Sequence, residues 1–263
     1  MPNLVIEIAG SLGYTIIWIV VWRISVQAKE IPSYINVLLV FFIAMHGYIS
    51  YLNIDIGNGH NFGLFNILNM TTWISMMIVL WNLFKYTSTC LLLFYLPISI
   101  VSIVAVGVFD GNAPVSLHGG KTQILHILLG ITAMGILMLA AVQSILILYI
   151  DNTLRNAPSK LSPIFDSLQS LERYLYQLLI SGFILMTISL MLATFFSSDT
   201  SQPQDLHKVI LTISSWFVLA ILILGHYVKG WRGVFAAKWT LIGVFLLLLG
   251  YFGSKLVQEF IIG

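Results

Sequence analysis

The chain has 263 residues, of which 59% are hydrophobic and only 8% are charged. Because a soluble domain carries about 25% charged residues, this composition excludes a water-soluble globular protein and indicates a protein embedded in the lipid bilayer. The formal net charge of +2 argues against a nucleic-acid partner, and the single cysteine, Cys90, argues against a disulfide framework or a cysteine metal cluster.

Eight apolar runs are long enough to cross a membrane, since a spanning helix needs about 20 mostly apolar residues. The predicted spans cover residues 4–22, 35–54, 62–84, 90–108, 122–150, 174–196, 208–227 and 238–261. The first run carries Glu7 and has no basic residue before it, so we interpret it as a retained span and not as a cleaved signal. The predicted fold class is all-α, with about eight transmembrane helices in one bundle and a single transmembrane domain over residues 1–263.

The distribution of basic residues predicts the orientation. The loops after the odd-numbered spans contain or border most of them: Arg23, Lys29, Lys85, Arg155, Lys160, Arg173, Lys229, Arg232 and Lys238. The loops after the even-numbered spans carry Asp55, Asp110, Asp199 and Asp205, with Lys121 and Lys208 at their edges. Because positively charged loops stay in the cytoplasm, both termini are predicted to lie on the periplasmic side of a bacterial inner membrane.

The longest predicted cytoplasmic loop covers residues 151–173. Two prolines, Pro158 and Pro163, prevent a helix in its first part. Beyond them, Ile164, Leu168 and Leu171 recur at helical spacing. This pattern predicts a short amphipathic helix on the inner membrane surface that leads into the sixth span.

Three of the six histidines, His46, His126 and His226, lie within apolar runs. Ionisable residues there are costly and are candidate functional positions, although a hydrogen bond to a neighbouring helix explains each histidine alone equally well. His226 ends the seventh run just before a short basic turn with Gly230 and Gly233, where an interfacial hairpin is the alternative interpretation. The sequence has no HExxH motif, no paired intramembrane carboxylates and no glycine-rich phosphate loop, so we predict no enzymatic activity.

The sequence blocks around these histidines resemble one family. Besides the histidines, they are NILNMTTW at residues 66–73, LHIL at 125–128, LERY at 171–174, GFILMT at 182–187, GWRG at 230–233 and YFG at 251–253. The chain resembles the cytochrome c assembly family, the CcsA/CcmC-type haem-handling membrane proteins, most strongly over residues of about 40–255. Its last part, from GHYVKGWRG to LGYFGSKLVQEFI, is similar to the YpjD-type inner-membrane proteins.

The resemblance implies a haem b cofactor and roles for five residues. His46 and His226 fall on the pair that holds the haem iron inside the membrane, and His126 falls on the first of two outer ligands. Trp231 and Arg232 come at the predicted inner surface, where they would contact the haem edge or its propionates. Anchoring of a basic loop is the alternative role for Arg232.

Two features of the family are missing from this sequence. After the YFG block, where a second outer histidine is expected, residues 255–258 read KLVQ. The predicted outer loop at residues 197–207 has no tryptophan, whereas the family has a W-x-W-D core there. The resemblance therefore implies haem handling or sensing within the membrane, without the loop that presents haem to an apocytochrome.

The spacing leaves open which histidines pair across the iron. Imidazole–metal bonds of about 2 Å place two axial nitrogens roughly 4 Å apart. His46 lies roughly 16 Å from the inner end of its predicted helix, whereas His226 lies close to that surface, so straight parallel helices would not bring them together. His46 with His126 is the alternative pair.

Two alternative functions stay open. The first is a haem-independent regulator or scaffold, similar to HemX-type relatives, which acts on another membrane or haem-synthesis protein through residues 151–173. The second is a small-solute transporter, which the scarcity of intramembrane carboxylates makes the weaker hypothesis.

Overall fold

The computed structural model describes residues 3–27, 32–55, 59–86, 90–109, 114–115, 120–157, 167–197 and 206–257. The elements in chain order are α1 (Leu4–Val26), α2 (Ser33–Ile54), β1 (His60–Asn61), α3 (Leu64–Tyr86), α4 (Cys90–Val108), β2 (Pro114–Val115), α5 (Gly120–Asn156), α6 (Leu168–Ser197), α7 (Leu206–Lys229) and α8 (Gly233–Leu248). A π-helical segment, Leu249–Gly253, and a short α9, Ser254–Val257, continue α8. β1 and β2 pair antiparallel.

The helices α1 to α8 explain the apolar composition. Among the described residues, eight helices are long and apolar enough to cross a membrane. This confirms the prediction of an all-α, multi-pass membrane protein, while the orientation of its termini stays a prediction. The 37 residues of α5 span about 55 Å, which exceeds a hydrocarbon core of roughly 30 Å, as its long apolar run indicates.

The reversal between α7 and α8 is shorter than the sequence predicts. α8 begins at Gly233, before the predicted start of the eighth span at Lys238. Gly230 and Gly233 have φ angles of +66° and +65°, a conformation that glycine adopts without a steric penalty. The chain therefore reverses between these two glycines, and the residues from Gly233 onward are already helical.

The predicted surface helix before the sixth span is part of α6. Leu168 and Leu171 belong to its first turns, and Leu171 is buried. The side-chain amide of Gln143 on α5 donates to the Leu171 carbonyl oxygen at 3.0 Å. This bond ties the start of α6 to α5, whereas Ile164 lies outside the described residues.

The chain divides into two compact units. Unit 1 contains α1 to α4 and the strand pair, and unit 2 contains α5 to α8, the π-helical segment and α9. In unit 1, α1 packs on α2 and α4, and α3 packs on the same two helices. In unit 2, α5 packs along α6 and α8, and α7 packs along α8. The single domain over residues 1–263 stays a prediction.

Candidate functional site

The turn after α7 fixes the imidazole ring of His226. Nδ1 of His226 lies 2.9 Å from the backbone carbonyl oxygen of Trp231. A carbonyl can only accept, so Nδ1–H is the donor. The same turn is closed by two backbone bonds, from Gly230 N–H to the His226 carbonyl at 3.0 Å and from Trp231 N–H to the Gly225 carbonyl at 3.3 Å. The GWRG sequence thus places a backbone acceptor beside the histidine.

Tyr176 of α6 holds this arrangement from a second side. Its hydroxyl donates to the same Trp231 carbonyl oxygen. Its ring stacks on the His226 imidazole, with the ring centroids 3.6 Å apart and the planes inclined by 22°. The imidazole therefore has one hydrogen bond and one stacked neighbour that fix both its tautomer and its plane.

The tautomer decides what His226 can bind. In the neutral ring, a proton on Nδ1 leaves the lone pair on Nε2, and among the described residues Nε2 has no hydrogen-bond partner. Metal-binding histidines usually donate the other ring N–H to a carbonyl or carboxylate, which orients the ring and raises its basicity. A half-buried neutral imidazole in this state is the donor that a haem iron takes as an axial ligand. His226 therefore fits the implied cofactor.

Charged residues lie on the same turn as this histidine and on the facing part of α6. The Glu172 carboxylate interacts electrostatically with Arg232 and with His226. The Lys229 ammonium lies 5.7 Å from the centre of the Trp231 ring, and the side chain of Arg232 is exposed. Trp231 and Arg232 therefore lie at the candidate site, as predicted for contacts with the haem edge and propionates, but these contacts stay a prediction.

His126, at another position in unit 2, is also oriented by a hydrogen bond from Nδ1–H to a backbone carbonyl oxygen. Its Nδ1–H donates to the backbone carbonyl oxygen of Ser189 on α6 at 2.7 Å. The Ser189 hydroxyl lies 3.0 Å from the same nitrogen and donates to the carbonyl oxygen of His126 at 3.0 Å. A hydrogen bond from Nδ1–H to a backbone carbonyl is the orientation that metal-binding histidines usually have, so His126 is also a candidate axial ligand.

His126 and His226 do not meet within unit 2. Their partners on α6, Ser189 and Tyr176, are 13 residues apart in the sequence. At 1.5 Å per residue, this separation is about 20 Å along the helix axis. These two histidines thus mark separate positions and cannot share one iron.

His46 has a different environment in unit 1. It is fully buried, with Nε2 2.9 Å from Asn69 Oδ1 and Nδ1 3.4 Å from the Tyr14 hydroxyl. Asn69 Nδ2 donates to the Ser50 hydroxyl, so Asn69 Oδ1 is the acceptor and Nε2–H of His46 is the donor. Both ring nitrogens are engaged, and this arrangement has to open before either nitrogen can bind iron. Because His46 belongs to unit 1, its pairing with His226 or His126 stays a prediction.

Two residues of the His226 site were not predicted as site residues. Tyr176 and Glu172 are four positions apart and lie on one face of α6, at and just after the LERY block. The i, i+4 spacing was the available signal, but nothing in the sequence connects it to a turn more than 50 residues later. The tryptophan-free outer loop, at residues 198–205, lies outside the described residues.

A multi-pass helical membrane protein with histidines oriented by backbone carbonyls is the class that this fold and these sites define. The family model described as Cytochrome C assembly protein matches residues 6–262, so the chain belongs to that family. The match runs through both compact units.

Several relatives are similar over part of the chain. Inner membrane protein YpjD of Escherichia coli strain K12 is 30% identical over 159 residues, which cover 60% of this chain and 60% of the relative. A 28.8 kDa protein in the nifR3-like 5′ region of Azospirillum brasilense is 28% identical over 179 residues, or 64% of this chain and 65% of the relative. The matches thus span less than two thirds of each relative's length. No solved structure matches the chain significantly.

The eight apolar helices and the relative named as an inner membrane protein agree on location. The chain is therefore a multi-pass inner-membrane protein, as its composition predicts.

Proposed function

We propose that this protein binds haem b at the membrane through His226 and handles or senses it there, as a binding protein and not as an enzyme. The observation that carries this proposal is the hydrogen bond from His226 Nδ1–H to the Trp231 carbonyl oxygen, which leaves the lone pair on Nε2. Membership of the cytochrome c assembly family supports haem as the cofactor. When bound, haem supplies an iron that takes an imidazole nitrogen as ligand and exchanges one electron.

The residues around His226 prepare it for this role. The Trp231 carbonyl and the Tyr176 ring hold the imidazole in one orientation, so little conformational freedom remains to be lost on binding. Lys229 and Arg232 supply positive charge on the same turn for the two haem propionates. Glu172, of opposite charge, interacts electrostatically with Arg232.

His126 is the second ligand position in this proposal. Its Nδ1–H bond to Ser189 reproduces the orientation found at His226, and one axial histidine is enough to hold haem, as in globins. We assign it to a separate haem position, because about 20 Å of α6 lie between the partners of the two histidines. The missing second outer histidine and tryptophan-rich loop argue against presentation of this haem for covalent attachment.

The visible spectrum of the purified full-length protein, oxidised and reduced, tests the proposal. We expect bound b-type haem in the wild type, and a loss of haem or a change of spin state in His226→Ala. His207→Ala is the matched control, because His207 is exposed at the start of α7 and far along the helix from His226. A haem-free wild type contradicts the proposal.

The two alternative functions predict different results. Haem-free protein that co-purifies with another membrane or haem-synthesis protein would favour the regulator. Of the loop through which the regulator would act, residues 158–166 lie outside the described part of the chain. Solute flux in vesicles would favour the transporter. The described contacts of unit 2 favour neither alternative over haem binding.

A further inference from the structure

We infer that His46 belongs to a hydrogen-bonded cluster that joins the four helices of unit 1 and is not an iron ligand. The claim that His46 is not an iron ligand rests on the proposed function. The claim that it joins the four helices does not depend on haem. We call six residues, one or more from each helix, the His46 cluster: Tyr14, His46, Ser50, Asn69, Thr72 and Ser102. All six are buried, with at most 4% of any of them exposed.

Asn69 is the most connected member of the cluster. Its Oδ1 accepts from His46 Nε2–H at 2.9 Å and from the Ser102 hydroxyl at 3.4 Å. Its Nδ2 donates to the Ser50 hydroxyl at 3.0 Å, and that hydroxyl donates to the His46 carbonyl oxygen at 3.1 Å. A single amide on α3 therefore satisfies polar groups from α2 and α4.

His46 extends the cluster to α1. Its Nδ1 accepts from the Tyr14 hydroxyl at 3.4 Å, and the two rings meet edge to face with centroids 5.7 Å apart. Tyr14 is 0% exposed, so removal of His46 takes away the hydrogen bond of a buried hydroxyl. The imidazole thus serves as donor towards α3 and acceptor towards α1, which uses both of its nitrogens.

Three further residues of the NILNMTTW block of α3 form hydrogen bonds to neighbouring helices. Asn66 Nδ2 donates to the Asn53 carbonyl oxygen at 3.1 Å, and Trp73 Nε1–H donates to the Ile43 carbonyl oxygen at 3.0 Å, both on α2. The hydroxyls of Thr72 and Ser102 on α4 share one hydrogen bond, with the two oxygens 2.6 Å apart. Four side chains of the block therefore form hydrogen bonds to a neighbouring helix: Asn66, Asn69, Thr72 and Trp73.

Burial explains why this cluster matters for folding. In an apolar surrounding, a donor or acceptor without a partner costs more than in water, so loss of one member leaves others unsatisfied. The geometry also argues against iron, because both ring nitrogens are already engaged: Nε2–H donates to Asn69 and Nδ1 accepts from Tyr14. A block that resembles a haem-handling family thus acts, in this unit, on helix association.

A double-mutant cycle on the full-length protein in detergent tests the inference. We expect His46→Ala and Asn69→Ala each to lower Tm by about 5–10 °C. Because both variants remove the shared bond between His46 and Asn69, the Tm of the double variant should fall by less than the sum of the two single effects. His207→Ala should not change Tm. Additive effects at His46 and Asn69, or no effect of either, would overturn the inference.

A spectroscopic arm separates the two proposals. His46→Gln removes the imidazole but keeps a side-chain hydrogen-bond donor. If His46 is not a ligand, the haem content and the spectrum of this variant should match those of the wild type, while its Tm falls by a few degrees. If His46→Gln loses haem or turns it high-spin at unchanged Tm, His46 is a ligand and the inference fails. If His46→Ala does not fold, Ser50→Ala supplies the second arm of the cycle, since it removes the acceptor of Asn69 Nδ2 and leaves His46 in place. A wild type without haem refutes the proposed function alone, and the cycle still decides the role of His46.

Discussion

Gly225→Ala perturbs the orientation of His226 without touching the imidazole. Gly225 is buried under the Trp231 indole, and a Cβ built there would lie 2.6 Å from Cδ2 of that ring, with two further ring carbons closer still. Ordinary carbon–carbon contacts are about 3.5–4.0 Å, so the ring has to move by about 1 Å or more. The Trp231 carbonyl belongs to the same residue and lies 2.9 Å from Nδ1, so if the backbone follows the ring, a shift of this size takes the bond beyond hydrogen-bonding distance.

The expected loss follows from the role of that bond. Removing a hydrogen-bonding partner of a metal ligand typically lowers metal affinity 10–100-fold, or roughly 1.4–2.8 kcal/mol. We therefore expect the haem Kd of Gly225→Ala to rise 10–100-fold when haem is titrated into haem-depleted protein and followed by absorbance. Gly253→Ala is the matched control, because a Cβ there meets Leu249 at an ordinary 3.7 Å. Wild-type affinity and an unchanged spectrum in Gly225→Ala would refute the claim that the Trp231 carbonyl orients the ligand.

Three further predictions follow from the sequence and the structure. Tyr176→Phe keeps the stacked ring but removes the hydroxyl that donates to the Trp231 carbonyl, so it should weaken haem binding about tenfold or less. A larger loss of haem affinity in an absorbance titration would show that Tyr176 does more than position the imidazole. For topology, cysteines at Asn58, Gly111 and Gln202 in a Cys90-free protein should react with an impermeant thiol reagent from outside, whereas cysteines at Ala28, Ser159 and Gly230 should not; the reverse pattern would invert the predicted orientation. Cells without this protein should keep haem-stained c-type cytochromes; their loss, restored by the wild type and not by His126→Ala, would show that this chain serves covalent haem attachment.

The apolar pattern predicted the fold well because each span is a local property. Runs of about 20 apolar residues identify α1 to α8 whatever their neighbours are, and the predicted fifth span, residues 122–150, is itself longer than one bilayer needs. The early start of α8 at Gly233 was not predicted, since it depends on the positive φ angles of Gly230 and Gly233 and not on hydrophobicity. The π-helical segment at Leu249–Gly253 was missed for a similar reason, because an i→i+5 bond has no hydropathy signal.

The candidate site was predicted in part. His126 and His226 stand out because they are ionisable residues in apolar runs, and GWRG marks a turn with two glycines. What the sequence could not supply is that Trp231 acts on His226 through its backbone carbonyl, since every residue has that group. His46 has the same local pattern as the other two, and only the contacts with Tyr14 and Asn69, 32 and 23 residues away, distinguish it. Hydrogen bonding to a neighbouring helix, the alternative weighed for each histidine, is what the described contacts show at His46.

Imidazole rescue of His226→Gly tests the central claim most directly. The variant removes the ring and leaves a space beside Tyr176 and the Trp231 carbonyl, where free imidazole can bind in its place. If His226 supplies an axial nitrogen to haem, the variant should lose the wild-type spectrum, and added imidazole should restore it at unchanged Tm. A wild-type spectrum in His226→Gly without imidazole would contradict the assignment.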